Sequence, residues 1–316
     1  MLMLKYSEIK NNEPLFLALT SLMTQEFENL LAQFENCWNY QMKYFTFNGT
    51  PRERAYSEKS NSILPTAMDK LFFILYYLKN NPLQSALAAS FGMTQPQANT
   101  CIHKFKKVLL EALGQAGCLP ARNANELKKI LNKCPETEYY TDGVERLIPR
   151  STDWETQKEQ YSGKKKTHTD KNIVFSDSKC KVRFLSDTAE GKTHDKKIAE
   201  DEQVELPKGS TCFQDTGFVG YSPNGENIKV VMPVKKAKGK ELGTNEKEQN
   251  KKIAQVRVKV EHVMSGIKRL RITKDKIRLR VTGISDLIME IACGLHNFRL
   301  MFRPWVYPET EKILQI

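Results

Sequence analysis

The chain has 316 residues, 40% of them hydrophobic and 27% charged, which is enough for two domains that each bury a core. Its longest apolar run, Leu71–Leu78, is too short to span a bilayer, and the N-terminus lacks the apolar core of a secretory signal. The seven cysteines are scattered without a CxxC pair, which disfavours a disulfide framework or a zinc site and favours a reducing cytoplasm.

The net charge of +12 is unevenly distributed along the chain. Residues 235–280 hold 16 Lys and Arg against 5 Asp and Glu, whereas residues 1–136 hold 15 against 11. A basic block of this density indicates a polyanionic partner, most often nucleic acid. The alternatives are a solvated helix face or a disordered tail, and the apolar periodicity inside the block argues against a tail.

Residues 1–64 are predicted to form a helical N-terminal region. Apolar residues recur there at spacings of three and four between Leu15 and Phe34. The polar, turn-rich stretch 48–62 then indicates an exposed loop or linker. No residue of this region indicates a particular chemistry.

Residues 65–136 are predicted to form a helix-turn-helix domain. A helix over Thr66–Lys79 precedes a short Ala-rich helix over Leu83–Ser90, and a Gly-containing turn leads to a helix over Thr94–Ala112. An ordinary helical hairpin is the alternative. Side chains that could read bases or meet phosphates on the last helix are Thr94, Gln95, Gln97, Asn99, Thr100, Lys104, Lys106 and Lys107.

From residue 137 the pattern changes to strands, and Asp142 lies in the first of them. Tyr140, Asp142 and Val144 share one face of a strand within Thr137–Pro149. A carboxylate flanked by apolar neighbours in a strand is costly unless a cation or strong donors meet it. Two interpretations remain open: a strand that ends in a turn at Asp142 and Gly143, or a catalytic acid.

The later elements predict an α+β (α/β) fold for residues 137–316. Strands at 172–176 and 181–185 complete an antiparallel meander, and a short helix over 194–203 follows. Two more strands at 211–215 and 228–232 lead to a long helix over 245–268. This order is that of a ribonuclease-H-like mixed sheet with flanking helices.

Two further acids occupy positions suited to chemistry. Asp215 leaves the carboxyl end of a predicted strand, where open α/β sheets place ligands, although an aspartate that caps its own turn fits equally. On the long helix Glu261 lies on a narrow face of mostly small residues, with Arg257 and Lys268 on the same side. The alternative is a surface glutamate paired with Arg257.

In this order and spacing the motifs resemble the DDE transposases of bacterial insertion sequences. They are Asp142 on a first strand, Asp215 in D-T-G-F-x-G-Y, and Arg257-x3-Glu261-x6-Lys268 on a late helix. The resemblance covers about residues 66–305 and is strongest to the insertion-sequence-five group, related to the Harbinger elements. One position departs from it, because Ala254 stands where a tyrosine is frequent. The branch of the family and the way the site holds a terminal phosphate therefore stay open.

The resemblance implies an enzyme that binds terminal inverted repeats and then cleaves and transfers DNA strands. Asp142, Asp215 and Glu261 would hold two Mg²⁺ ions, for which Mn²⁺ can substitute, and Asp195 would orient a ligand. Double-stranded DNA is the expected partner, a homodimer the expected synaptic form, and the nucleoid the expected location. A nuclease without strand transfer and a domesticated non-catalytic DNA-binding protein are the alternatives. The expected DNA contacts of the catalytic region are Lys164, Lys165, Lys166, His168, Arg257, Lys268 and Arg269.

Overall fold

The computed structural model describes residues 4–46, 49–58, 61–133, 136–236, 241–279 and 281–314. Cys134 and residues 237–240 and 280 of the basic block lie outside the described residues. The other six cysteines are free thiols. The chain divides into two compact units, residues 1–119 with 268–275, and residues 120–267 with 276–316. The predicted boundaries at 64/65 and 136/137 stay predictions.

The first unit is all-helical in its described residues, and aromatic side chains fill its core. Tyr6 stacks on Phe27 with ring centroids 4.9 Å apart, and Phe16 stacks on Phe72 at 6.1 Å. The helix α4 starts as its sequence predicts, because Thr66 and Asp69 form a capping box. The helices are α1 (Tyr6–Ile9), α2 (Glu13–Thr20), α3 (Thr24–Tyr44), α4 (Ala67–Asn80), α5 (Gln84–Ser90) and α6 (Gln95–Gln115), joined by the later α11 (Arg271–Lys274).

The second unit is built on a mixed sheet. Its strands are β1 (Glu138–Leu147), β2 (Tyr161–Ser162), β3 (Thr167–Asp177), β4 (Val182–Leu185), β5 (Ala189–Glu190), β6 (Thr211–Phe213) and β7 (Lys229–Val231). The order is β2-β3-β1-β6-β7, with β4 and β5 also paired to β3. β3 is antiparallel to β1 and β4, whereas β6 is parallel to both β1 and β7.

Helices flank this sheet and bury its faces. Tyr139, Phe175, Phe184 and Cys212 contribute to a core that also includes α7 and α9 side chains. The helices are α7 (Ala124–Lys133), α8 (Trp154–Gln160), α9 (Asp195–Asp201), α10 (Thr244–Ile267), α12 (Ile284–Phe302) and α13 (Thr310–Leu314). An antiparallel meander followed by strands parallel to the first is the ribonuclease-H-like arrangement, so the predicted fold class is confirmed.

Among the helices of the described residues, none combines the length and the apolar character that crossing a membrane requires.

Candidate active site

Asp142 lies in the middle of an uninterrupted strand. It pairs with Val174 of β3, and Gly143 pairs with Ile173, so β1 continues to Leu147 without a turn. The turn interpretation is therefore wrong. β1 also runs parallel to β6 with Tyr140 opposite Phe213. Two residues further along each chain, Asp142 and Asp215 lie next to each other at the carboxyl end of β6.

Asp142 is in an electrostatically unfavourable position for a carboxylate. Burial raises its pKa, and the negative charges of Asp215 and Asp195 raise it further. The Gly143 N–H, which donates to Asp142 Oδ1 at 2.8 Å, and the charge of Arg257 oppose this rise. The net direction is upward, so the surrounding protein does not fully compensate the charge on Asp142.

Asp215 has two partners of different kinds. Its Oδ1 accepts the Thr216 N–H at 2.7 Å and caps a 3₁₀ turn over Thr216–Phe218, as the capping interpretation predicts. The same oxygen lies 3.8 Å from Arg257 Nη1, and the Asp215 side chain stays 45% exposed. Among the residues that the structure describes, the buried Arg257 Nε has no hydrogen-bond partner. Capping thus leaves Asp215 accessible beside Asp142.

Asp195 is the third carboxylate near Asp142, after Asp215. It is the first residue of α9, and its Oδ1 lies 3.3 Å from Lys171 Nζ, which also donates to the Thr193 carbonyl at 3.0 Å. A Cβ at Gly143 would lie only 3.0 Å from the Asp195 carboxyl, so this carboxyl packs directly on the strand beside Asp142. The sequence analysis did not identify Lys171 as a partner of Asp195. A lysine beside the apolar run of β3 is the signal that could have indicated it.

Glu261 is exposed on α10, one helical turn after Arg257. Within the described part of the chain it makes no hydrogen bond or ion pair, so the pairing with Arg257 that the alternative interpretation requires is absent there. Its role as third acid stays a prediction. Lys268 and Arg269 follow α10 and belong to the first unit, where the Arg269 carbonyl accepts from Lys79 Nζ at 3.0 Å.

The chemistry of these groups fits a hard divalent cation. The donors are carboxylate oxygens, which Mg²⁺ prefers. A cation among Asp142, Asp195 and Asp215 would offset the burial and the smaller acidic repulsion that raise the Asp142 pKa. Among the described residues, however, no three acidic, His or Cys side chains converge closely enough to form a finished metal site. The carboxylates therefore lie close together without forming a closed cage.

The predicted base-reading side chains lie at the start of α6. Thr94 and Gln97 form a capping box, and the Gln95 and Asn99 amides both donate to Gln84 Oε1, at 2.6 and 3.1 Å. Thr94, Gln95 and Gln97 are exposed, and Asn99 is half-buried. These hydrogen bonds fix the orientation of the side chains on the surface of the helix.

The lysines of α6 have different environments. Lys104 Nζ lies 4.5 Å from the centroid of the Trp38 ring, and burial lowers its pKa to about 8. Lys106 is buried and contacts His103 Nδ1 at 2.9 Å, which leaves it unavailable to a phosphate. Lys107 is exposed. A phosphate contact by Lys104 stays a prediction.

Lys164, Lys165 and Lys166 form the exposed tip of the β2–β3 hairpin, and His168 pairs with Tyr161 below them. The Lys166 N–H donates to the Ser162 carbonyl at 2.7 Å, and Lys166 has a φ of 53°. The backbone therefore turns sharply and directs three lysines outward.

Comparison with known proteins gives the same assignment for both regions. Residues 141–297 match the model of the DDE superfamily endonuclease, whose members are metal-dependent, and residues 64–115 match the helix-turn-helix of the DDE superfamily endonuclease. The chain is 24% identical over 237 residues to a probable transposase for insertion sequence element IS702 of Microchaete diplosiphon, covering 74% of this chain and 81% of that protein. No solved structure matches the chain.

Proposed function

We propose that this chain, a DDE transposase by its two family matches and its relative, binds terminal inverted repeats through α5 and α6 and both cleaves and joins DNA strands in the second unit. The observation that supports this most is the group formed by Asp142 in the middle of β1, Asp215 after the carboxyl end of β6, and Asp195 at the start of α9. Burial, and to a smaller extent the charges of Asp215 and Asp195, raise the pKa of Asp142, and a bound divalent cation would stabilise its charged form.

In this proposal Asp142, Asp215 and Glu261 hold two Mg²⁺ ions, and Mn²⁺ can replace them. Two such ions activate the attacking oxygen and stabilise the leaving oxygen of a phosphodiester. Glu261 is exposed and unpaired in the described residues, so its carboxylate is free to complete the ligand set.

The remaining side chains position the acids and the DNA. Lys171 holds Asp195, and Asp195 packs against Gly143 beside Asp142. The positive charge of Arg257 acts on both Asp142 and Asp215. With a metal ion bound at Asp215, the Arg257 guanidinium would be available to contact the scissile phosphate. Lys268 and Arg269 are further phosphate contacts, a homodimer is the synaptic form, and chromosomal DNA in the cytoplasm is the place of action.

The test is cleavage of a labelled duplex that carries one element end and its flanking DNA, with Mg²⁺ or Mn²⁺ against EDTA. We expect metal-dependent cuts at the element end and subsequent joining to a target duplex. Asp142→Asn and Glu261→Gln should each reduce cleavage more than about 100-fold, beyond the effect of losing a residue that only orients a ligand. Glu248→Gln is the matched control, since Glu248 is exposed on the same helix.

Each other outcome points elsewhere. Cutting without joining would indicate a nuclease, and binding without cutting in either metal would indicate a non-catalytic DNA-binding protein. Cutting that survives Glu261→Gln would mean that another acid completes the site, and Glu246 would be tested next.

A further inference from the structure

α8 and the β2–β3 hairpin that follows it expose large aromatic side chains that do not contribute to the core of the unit. No residue of α8 is buried, yet the helix begins with Trp154, which is 61% exposed. Tyr161, directly after α8, is 44% exposed. Large aromatic side chains normally contribute buried area to a core, so two exposed rings at the ends of one short helix need another explanation.

The two rings flank α8: Trp154 is its first residue, and Tyr161 follows its last residue at the start of β2. Lys158 lies one helical turn after Trp154. Lys158 Nζ lies 5.4 Å from the centroid of the Trp154 ring, and the Tyr161 ring meets His168 edge-on at 5.8 Å. We call Trp154, Lys158, Tyr161, His168 and the tip lysines 164–166 the hairpin face.

The hairpin face has a surplus of positive charge after its acids are counted. Glu155 pairs with Lys158 at 3.0 Å, Glu159 pairs with Lys192 at 2.9 Å, and Asp153 caps α8. Lys164, Lys165 and Lys166 make no ion pair with any described residue. Three cations beside two exposed rings thus remain available to a partner.

The framework under the hairpin face is firmly held. The Lys192 N–H donates to the Glu159 carbonyl at 3.0 Å, and a Cβ at Gly191 would lie 2.6 Å from the Gln160 carbonyl, so only glycine fits there. Ser162 is buried and its Oγ accepts the Lys165 N–H at 3.2 Å. The backbone that carries the rings and the lysines is therefore held in place.

We propose that the hairpin face binds unpaired DNA, with bases stacked on Trp154 and Tyr161 and phosphates on Lys164–Lys166. Exposed aromatic rings interleaved with lysines are typical of surfaces that bind single-stranded DNA. Each unpaired base can stack on a ring, and each phosphate can contact a lysine. A duplex hides its base faces within the stack. The cores of protein–protein interfaces are depleted in lysine, which disfavours a protein partner. The inference rests on the proposed function in one respect: the unpaired nucleotides are those at a cleaved DNA end.

The test measures binding of the full chain to fluorescein-labelled oligo(dT) by anisotropy in EDTA, so that catalysis plays no part. Trp154→Ala should weaken binding about 5- to 150-fold, which corresponds to about 1–3 kcal/mol for a stacked base. Trp154→Phe keeps a ring and should restore most of the affinity. Tyr40→Ala is the matched control, because Tyr40 is 59% exposed on the other unit and should have no effect.

A second variant tests the phosphate contacts. Replacing Lys164, Lys165 and Lys166 together by alanine should reduce the slope of log affinity against log salt by about 2, at about 0.7 per phosphate of a single strand. In addition, oligo(dT) should quench tryptophan fluorescence in the wild type and much less in Trp154→Phe.

Three results would overturn the inference. They are wild-type affinity of Trp154→Ala for oligo(dT), an equal loss of affinity of this variant for a blunt duplex, and tighter binding of the wild type to oligo(U) than to oligo(dT). Failure of the wild type to cleave element ends, with the Trp154 effect intact, would contradict the proposed function alone.

Discussion

At the scale of single residues, Gly143 shows how closely the site is packed. Its backbone is that of an ordinary strand residue, without the positive φ that requires glycine. The lack of a side chain matters because the Asp195 carboxyl occupies the space of a Cβ, at 3.0 Å from both Cγ and Oδ2. Within the strand, Gly143 thus leaves room for the Asp195 carboxylate to pack beside Asp142.

Gly143→Ala should displace the Asp195 carboxyl by a few tenths of an ångström while β1 stays intact. We expect metal-dependent cleavage to fall about 10- to 100-fold, as when a group that orients a ligand is lost. Cleavage of the end duplex and thermal unfolding would be measured together. Gly163→Ala is the control, because a Cβ there meets nothing within 4 Å. Full activity of Gly143→Ala would show that Asp195 has no part in the reaction.

The acids differ in how far the sequence predicted their surroundings. Asp142 was identifiable because a charge inside an apolar strand requires a partner, and the structure shows Arg257, Asp195 and Asp215 close enough to affect its pKa. The packing of Asp195 on Gly143 was not predictable. It depends on where α9 begins relative to β1, and no local pattern encodes that distance.

At the scale of elements, hydrophobic periodicity predicted the helices and strands that bury an apolar face. It missed the helix α8, which buries none. The strands β1, β3, β4, β6 and β7 and the helices α4, α6 and α10 all occur near their predicted positions. α8 was missed because WETQKEQ has no apolar stripe and the helix buries none of its residues. α7 buries Leu127 and Leu131, which are four residues apart, so the sequence contains the periodicity that predicts this helix.

The helix α6 contains a buried cation that the pattern did not reveal. Lys106 lies among the buried positions of the helix, where burial and, to a smaller extent, the charge of Lys107 lower its pKa to about 8. A native pKa below the unfolded value means that the unfolded chain binds more protons between about pH 8 and 10.5. The stability of the wild type therefore rises with pH in that range.

Lys106→Met keeps the length of the side chain and removes the charge. At pH 7 we expect the variant to be more stable by about 1 kcal/mol, since the wild type then keeps a desolvated ammonium. At pH 9.5 the wild type has lost that proton, and the difference should shrink or reverse. Thermal unfolding midpoints at both pH values measure this. Lys107→Met, at an exposed neighbour, removes only the smaller of the two causes and should stabilise the protein less at pH 7 than Lys106→Met does. Equal gains from both substitutions would contradict the explanation.

At the scale of the whole molecule, the basic block is part of the folded protein. Its described residues include all of α10, which buries Ile253, Val256 and Val260, and the segment 268–275 of the first unit. The disordered-tail interpretation is therefore wrong for these residues. Positive charge in both units, together with the net +12, provides the long-range attraction to DNA that the proposed function requires.

The proposed function predicts the number of chains per complex. In that proposal one chain supplies a single set of Asp142, Asp215 and Glu261, whereas joining the two ends of an element to a target would require two strands to be processed side by side. We therefore expect two chains to hold two ends. End duplexes of two lengths, mixed equally in EDTA, should give three complexes on a native gel, with the mixed one about half of the total. A chain that binds each end separately would give two complexes, and omission of one duplex identifies the pure species.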